Sequence, residues 1–160
     1  SEMCIRDSVF MVQKQLPKAR NQLKRISKSP YNPGFGDEIE KGNLMLVEHY
    51  IEKGKYDIAQ QLCNKVLTHN KSSAKAHEQL GLIMEKEASY RDAADNYESA
   101  WKHDGEASAA AGFKLAFNYL KAERFVEAID VCHKVIKMYP NYPRIREEIL
   151  DKARESLRMA

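Results

Sequence analysis

Apolar positions along this chain recur at helical spacing, and the pattern of them recurs in turn. Tyr56, Ala59, Cys63 and Val66 are followed by Tyr90, Ala93, Tyr97 and Ala100, and then by Phe125, Ala128, Cys132 and Val135. The step is 34 residues, then 35. Small or apolar residues at i+3, i+7 and i+10 from each aromatic fall on one face of a 3.6-residue helix. Ahead of each aromatic a second stripe runs at i, i+1, i+4: Leu46, Val47, Tyr50; Leu80, Gly81, Met84; Leu115, Ala116, Tyr119. The spacing predicts two antiparallel helices per repeat, neither able to bury its apolar face alone. A fixed period of this length is the signature of an all-α solenoid.

The register resembles the tetratricopeptide repeat, with units over 40–73, 74–107 and 108–142. That pattern wants small side chains where two helices cross closely, and Ala59, Gly81, Ala93, Ala100, Ala116 and Ala128 stand at such positions. Gly54 is placed to end a first helix in a left-handed conformation. Pro140 stands where the third repeat must stop being helical. Asp57, Asp92 and Glu127 fall in first turns of second helices, while Lys102, His103 and Lys137 fall near their ends, as the helix dipole favours. Val47 is larger than the pattern's usual residue, and Asn43, His77 and Gly112 stand where it commonly has Trp.

Residues 9–39 read as the closing helix of an earlier repeat plus a linker. Ala19, Leu23 and Ile26 repeat the second-helix pattern behind Pro17, and the turn SPYNPGFGDE carries an insertion relative to the period. Residues 143–160 are expected to cap the stack as an amphipathic helix, with Ile145, Ile149, Leu150, Ala153 and Leu157 on one stripe. Residues 1–8, SEMCIRDS, are unassigned. A half repeat at the front and the lack of an initiating Met point to a segment of a longer solenoid.

The wording of residues 16–158 goes beyond repeat consensus. KARNQLKRISK, LIMEKEASYRDAADNYESAW and GFKLAFNYLKAERFVEAIDVCHKVIKMYPNYPRIREEILDKARESLR resemble the carboxyl-terminal end of the tetratricopeptide repeat protein 21 family, the long repeat subunit of intraflagellar transport complex A. The resemblance implies a non-catalytic scaffold in cilia or flagella and the cytoplasm. It also implies other complex A subunits as partners, with ciliary membrane cargo adaptors beside them, in retrograde transport and membrane-protein trafficking. The remaining alternatives are a generic repeat adaptor outside cilia and a binder of an acidic ligand or RNA.

Composition narrows the chemistry. At 43% hydrophobic and a net charge of +3 over 160 residues, the chain fits an ordinary helical protein without a membrane-spanning run, and an intracellular setting is expected. Cys63 and Cys132 share one second-helix core position, which favours packed free thiols. Among five histidines and three cysteines, no pair shows the i, i+3 or i, i+4 spacing of ligands on a helix, so neither metal nor cofactor is expected. The GFG at 34–36 lacks the Lys and Ser or Thr of a phosphate loop, and carboxylates scatter among lysines, so an enzyme is not expected.

Two surfaces remain as candidates. Lys14, Lys18, Arg20, Lys24, Arg25 and Lys28 form a basic stretch without an acidic residue. Its reading is a solvated face, then a site for an acidic partner, then one for nucleic acid or lipid; nucleic acid is not expected, because no aromatics interleave the basic residues. The second candidate is the inner face of the first helices: Leu44, Glu48, Ile51, Gln79, Leu82, Lys86, Phe113, Lys114, Phe117 and Lys121. The alternative for its apolar members is simple packing between first helices. A clamp for a chaperone tail is excluded, because its Lys, Asn and Arg positions carry Leu44, Glu48, Gln79, Ala110 and Lys114.

Overall fold

The computed structural model of the protein describes residues 36–160, so the basic stretch from Lys14 to Lys28 lies outside the described residues. The chain divides into two compact units, one ending at Lys71 and the other spanning Ser72–Ala160. In the first, α1 (Gly36–Glu52) and α2 (Tyr56–His69) form one helix pair. Leu46, Val47 and Tyr50 are buried on α1, as are Ala59, Cys63 and Val66 on α2, which matches both predicted stripes.

The second unit continues with α3 (Ala74–Lys86), α4 (Tyr90–His103), α5 (Ala109–Lys121) and α6 (Phe125–Met138). Each helix packs on the next in sequence. The side chains of Ser73 and Ser108 cap α3 and α5 by accepting from the backbone N–H groups of Ala76 and Ala111. No strand occurs among the described residues. The fold is the expected all-α series of tetratricopeptide-like helix pairs.

One turn recurs at the end of every first helix. Gly54, Ala88 and Glu123 have φ of 70°, 60° and 61°. Their N–H groups donate to Ile51, Glu85 and Leu120, and the following N–H groups donate to Tyr50, Met84 and Tyr119. This paired bonding closes the orphan carbonyls of a helix end around one left-handed residue. Glycine, the residue best suited to that conformation, is present in one case of the three.

Close packing explains the small residues and the missing Trp. Ala59, Ala93, Ala116 and Ala128 are fully buried, and Ala100 nearly so. A Cβ at Gly81 would stand 2.9 Å from the Tyr97 ring, and one at Gly112 would stand 2.5 Å from Val135 Cγ2 and 3.2 Å from the Trp101 ring. At Gly112 the large and small partners are therefore exchanged. The aromatic volume absent from α5 is supplied by Trp101 at the end of α4, whose Nε1 donates to the Ser108 carbonyl at 3.1 Å.

The C-terminal cap differs from the expected single helix. Arg144 is left-handed, with φ 71°, which blocks a helical start at Pro143. The helix opens with a π-helical turn over Arg146–Leu150 and continues as α7 (Asp151–Met159). Ile145, Ile149, Leu150 and Ala153 are buried in the unit's core. Leu157 is 41% exposed, so the apolar stripe ends one turn earlier than predicted.

Cys63 and Cys132 are free and fully buried. Burial pushes both thiols up to about 12, which leaves them protonated and unreactive while folded.

Candidate interaction surface

The surface of the second unit formed by α3 and α5 holds seven of the ten candidate inner-face residues. Two side-chain bridges bring these helices together. Lys114 Nζ lies 2.9 Å from Glu78 Oε1, and Asn118 Nδ2 donates to Glu85 Oε2 at 3.0 Å and to the Lys114 carbonyl at 2.8 Å. Tyr97 on α4 donates its hydroxyl to the same Glu85 oxygen at 3.1 Å. One carboxylate thus ties three helices, and Asn118, fully buried, is the residue through which α5 joins. Burial, and then the Glu85 carboxylate, hold the Tyr97 phenol above its ordinary value.

The candidate residues separate by exposure. Gln79 is buried at 4% exposure, and is withdrawn from the predicted surface. Lys114 is engaged by Glu78, so its charge is met within the fold. Leu82, Phe113 and Phe117 are half-buried, while Lys86 and Lys121 are exposed. Phe113 packs against the Tyr142 ring at 6.0 Å, and the Lys121 ammonium sits 5.5 Å from the Phe117 ring centre. In the first unit Leu44 and Ile51 are buried and only Glu48 is exposed. The two apolar members therefore pack instead of presenting a surface, which corrects their placement.

A second polar group, on α4, α5 and α6, had no signal in the sequence reading. Tyr119 donates its hydroxyl to Glu98 at 2.8 Å, Arg124 stacks over the Tyr119 ring at 4.6 Å, and Arg124 pairs with Asp95 and Glu127. The Lys102 ammonium, joined by the Tyr119 hydroxyl, holds the Glu98 carboxyl below its usual range. These groups fasten helices to each other and leave no nucleophile beside a base. Spacing alone shows that residues three or four apart share a helix face, but gives no hint of partners 21 or 29 residues away.

The histidines have local roles. His77 and His103 stack with ring centres 5.3 Å apart. Arg154 Nη2 lies 3.1 Å from His133 Nε2, and because a guanidinium only donates, the ring accepts. Among the described residues no three His, Cys, Asp or Glu side chains converge to hold a metal ion.

Comparison with known proteins gives the chain its relatives. Residues 4–154 match the family described as the tetratricopeptide repeat protein 21 C-terminal ARM domain. The chain is 57% identical over 151 residues to tetratricopeptide repeat protein 21B of Mus musculus, covering 94% of this chain and 12% of that protein. It is 51% identical to tetratricopeptide repeat protein 21A of Homo sapiens, over 93% of this chain and 11% of that one. The chain thus spans about an eighth of the length of these relatives. Among solved structures, a tetratricopeptide repeat protein from Parabacteroides merdae aligns with TM-score 0.80 at 20% identity, over 97% of this chain and 60% of that chain. MamA aligns at 0.68 and 21%, over 88% and 83%. Those two likenesses concern the fold. The helix pairs recur at the tetratricopeptide step of 34 or 35 residues, shorter than the armadillo period. With its match to the family over residues 4–154, the chain belongs to the tetratricopeptide repeat protein 21 family.

Proposed function

We propose that this chain is part of a non-catalytic scaffold subunit of intraflagellar transport complex A. In this role it mediates protein–protein assembly for retrograde ciliary transport and ciliary membrane-protein trafficking. The observation that carries the reading is the 57% identity over 151 residues to tetratricopeptide repeat protein 21B. Helix pairs held by small-residue crossings and cross-helix polar ties supply a surface suited to docking. The partners are other complex A subunits and ciliary membrane cargo adaptors. The setting is the ciliary base, the axonemal trains and the cytoplasm. No helix among the described residues is long and apolar enough to cross a membrane.

The test is affinity purification of the full-length parent from ciliated cells, with and without residues 109–160, read by mass spectrometry. Selective loss of particular complex A subunits on truncation supports an assembly role for this end. Retention of the complex with loss of membrane or motor proteins supports a cargo-facing one. Recovery of no transport subunits with either form refutes the ciliary reading.

A further inference from the structure

The start of α1 and the end of α2 border a cavity of about 190 Å³. That is below the ~300–1,000 Å³ usual for small-molecule sites, and it suits a single side chain. Asp37, Glu40 and Asn43 line it from α1, at intervals of three residues that set them in one row along the helix. Asn43 is 2% exposed, yet its Oδ1 has no hydrogen-bond partner. A buried acceptor in this state costs stability, and the cavity it lines is the route by which a donor reaches it. The Glu40 carboxylate is held at the wall by Asn70, whose Nδ2 donates to Glu40 Oε2 at 3.1 Å. The positive dipole end of α1 and the negative dipole end of α2 meet here and offset each other, so the two carboxylates set the sign. No lysine or arginine lines the cavity, and Ile39 and Val66 give it apolar walls.

We propose that this cavity binds the guanidinium group of an arginine side chain, which donates to Asn43 Oδ1 and to the carboxylates of Asp37 and Glu40. A guanidinium presents its N–H donors in a planar fork and is more weakly hydrated than an ammonium. That fork suits acceptors that follow one another along a helix, where a lysine offers one compact charge. The aliphatic stem of the arginine lies against Ile39 and Val66. Among the described residues no three His, Cys, Asp or Glu side chains converge on a metal ion, so a side-chain cation is the fitting ligand. The arginine belongs either to a partner protein or to this chain ahead of α1, where Arg6, Arg20 and Arg25 stand. The chemistry is the same for both sources. The site lies within the unit ending at Lys71 and goes beyond the scaffold reading, on which it does not depend.

The probe is N-acetyl-arginine methylamide, titrated at millimolar concentration into the isotope-labelled chain and followed by the amide resonances in nuclear magnetic resonance. The citrulline analogue, equal in shape but uncharged, is the control. The expected result is a saturable response confined to residues 36–43 and 66–70, the Asn43 side-chain amide included, and weaker by about tenfold with citrulline. The titration is carried out on the unaltered chain and on a form with Arg6, Arg20 and Arg25 replaced by Gln. A response in the unaltered chain supports the site and assigns it to a partner's arginine. A response only in the Gln form supports the site and assigns it to the chain's own arginine. In whichever form responds, Asp37→Asn removes an exposed charge and Asn43→Leu removes the buried acceptor, and each lowers affinity about tenfold. Asn43→Leu leaves the melting midpoint level or raises it, because the acceptor it removes has no partner to lose. No response in either form, an equal response to citrulline, or a response indifferent to Asp37→Asn overturns the proposal.

Discussion

Exchanging glycine and alanine between Gly54 and Ala88 tests the turn geometry in both directions. The two residues occupy the same turn, with φ 70° and 60° and the same pair of backbone hydrogen bonds. A left-handed residue bearing a Cβ costs about 1–2 kcal/mol, while glycine forfeits about 0.5–1 kcal/mol through the freedom of the unfolded chain. The difference leaves about 1 kcal/mol in favour of glycine. Ala88 is exposed, so Ala88→Gly removes no packed methyl. A Cβ at Gly54 would meet nothing within 4 Å, so Gly54→Ala adds no clash, and the backbone term stands alone in each case. Because the residues lie in different compact units, native-state hydrogen exchange reads them separately. Protection over 72–160 is expected to rise about fivefold with Ala88→Gly, and protection over 36–71 to fall about fivefold with Gly54→Ala, the factor that 1 kcal/mol represents. Whether the two changes add in the double variant is read from the same exchange data. A fall in protection with Ala88→Gly, or no change with Gly54→Ala, refutes the left-handed assignment.

Gly112→Ala forces a methyl against Val135 Cγ2 and the Trp101 ring. The stiff β-branched neighbour cannot swing aside, so a loss of about 1–2 kcal/mol in a denaturant titration is expected after the gain in helix propensity is subtracted. Adding Val135→Ala restores room and makes the pair less costly than the sum of its parts; strict additivity would contradict the packing described. Asn118→Asp replaces the amide that donates to Glu85 with a carboxylate at a fully buried position beside the half-buried Glu85 carboxylate. A destabilisation of about 2–4 kcal/mol at pH 7 is expected. The like-charged pair holds one proton more tightly folded than unfolded, so this penalty shrinks as pH falls from 7 toward 5. Denaturant midpoints at the two values check the sign, and a penalty that grows on acidification would rule out the proposed pairing.

Much of this fold is legible in sequence because a helix face repeats every few residues and the helix pair repeats every 34 or 35. Ala59, Ala93 and Ala128 fix the register, and each proves fully buried. What escapes is whatever depends on two distant residues at once. Gly112 alone reads as a departure from the pattern, and Trp101 alone reads as one more apolar residue; only their contact explains either. Ala88 and Glu123 carry no turn signature of their own and are found only by counting from Gly54. The candidate surface suffers in the same way. A register position tells which way a residue of an idealised repeat points, yet Gln79 is buried and Lys114 is neutralised by Glu78, 36 residues earlier. Phe117 is half-buried and Lys86 and Lys121 are exposed, which register alone does not distinguish from Gln79.

Cys63 and Cys132 occupy equivalent core positions in different units, and this makes each a native clock for its own part of the chain. A thiol reagent cannot enter a packed helix pair, so alkylation proceeds only at the moments when that pair comes apart. The labelled peptides differ in mass, and a single time course resolves the opening of the unit ending at Lys71 from the opening of Ser72–Ala160 without any introduced probe. Binding of a partner to one unit would then register as a slowed label on its own cysteine. The other cysteine serves as the internal standard.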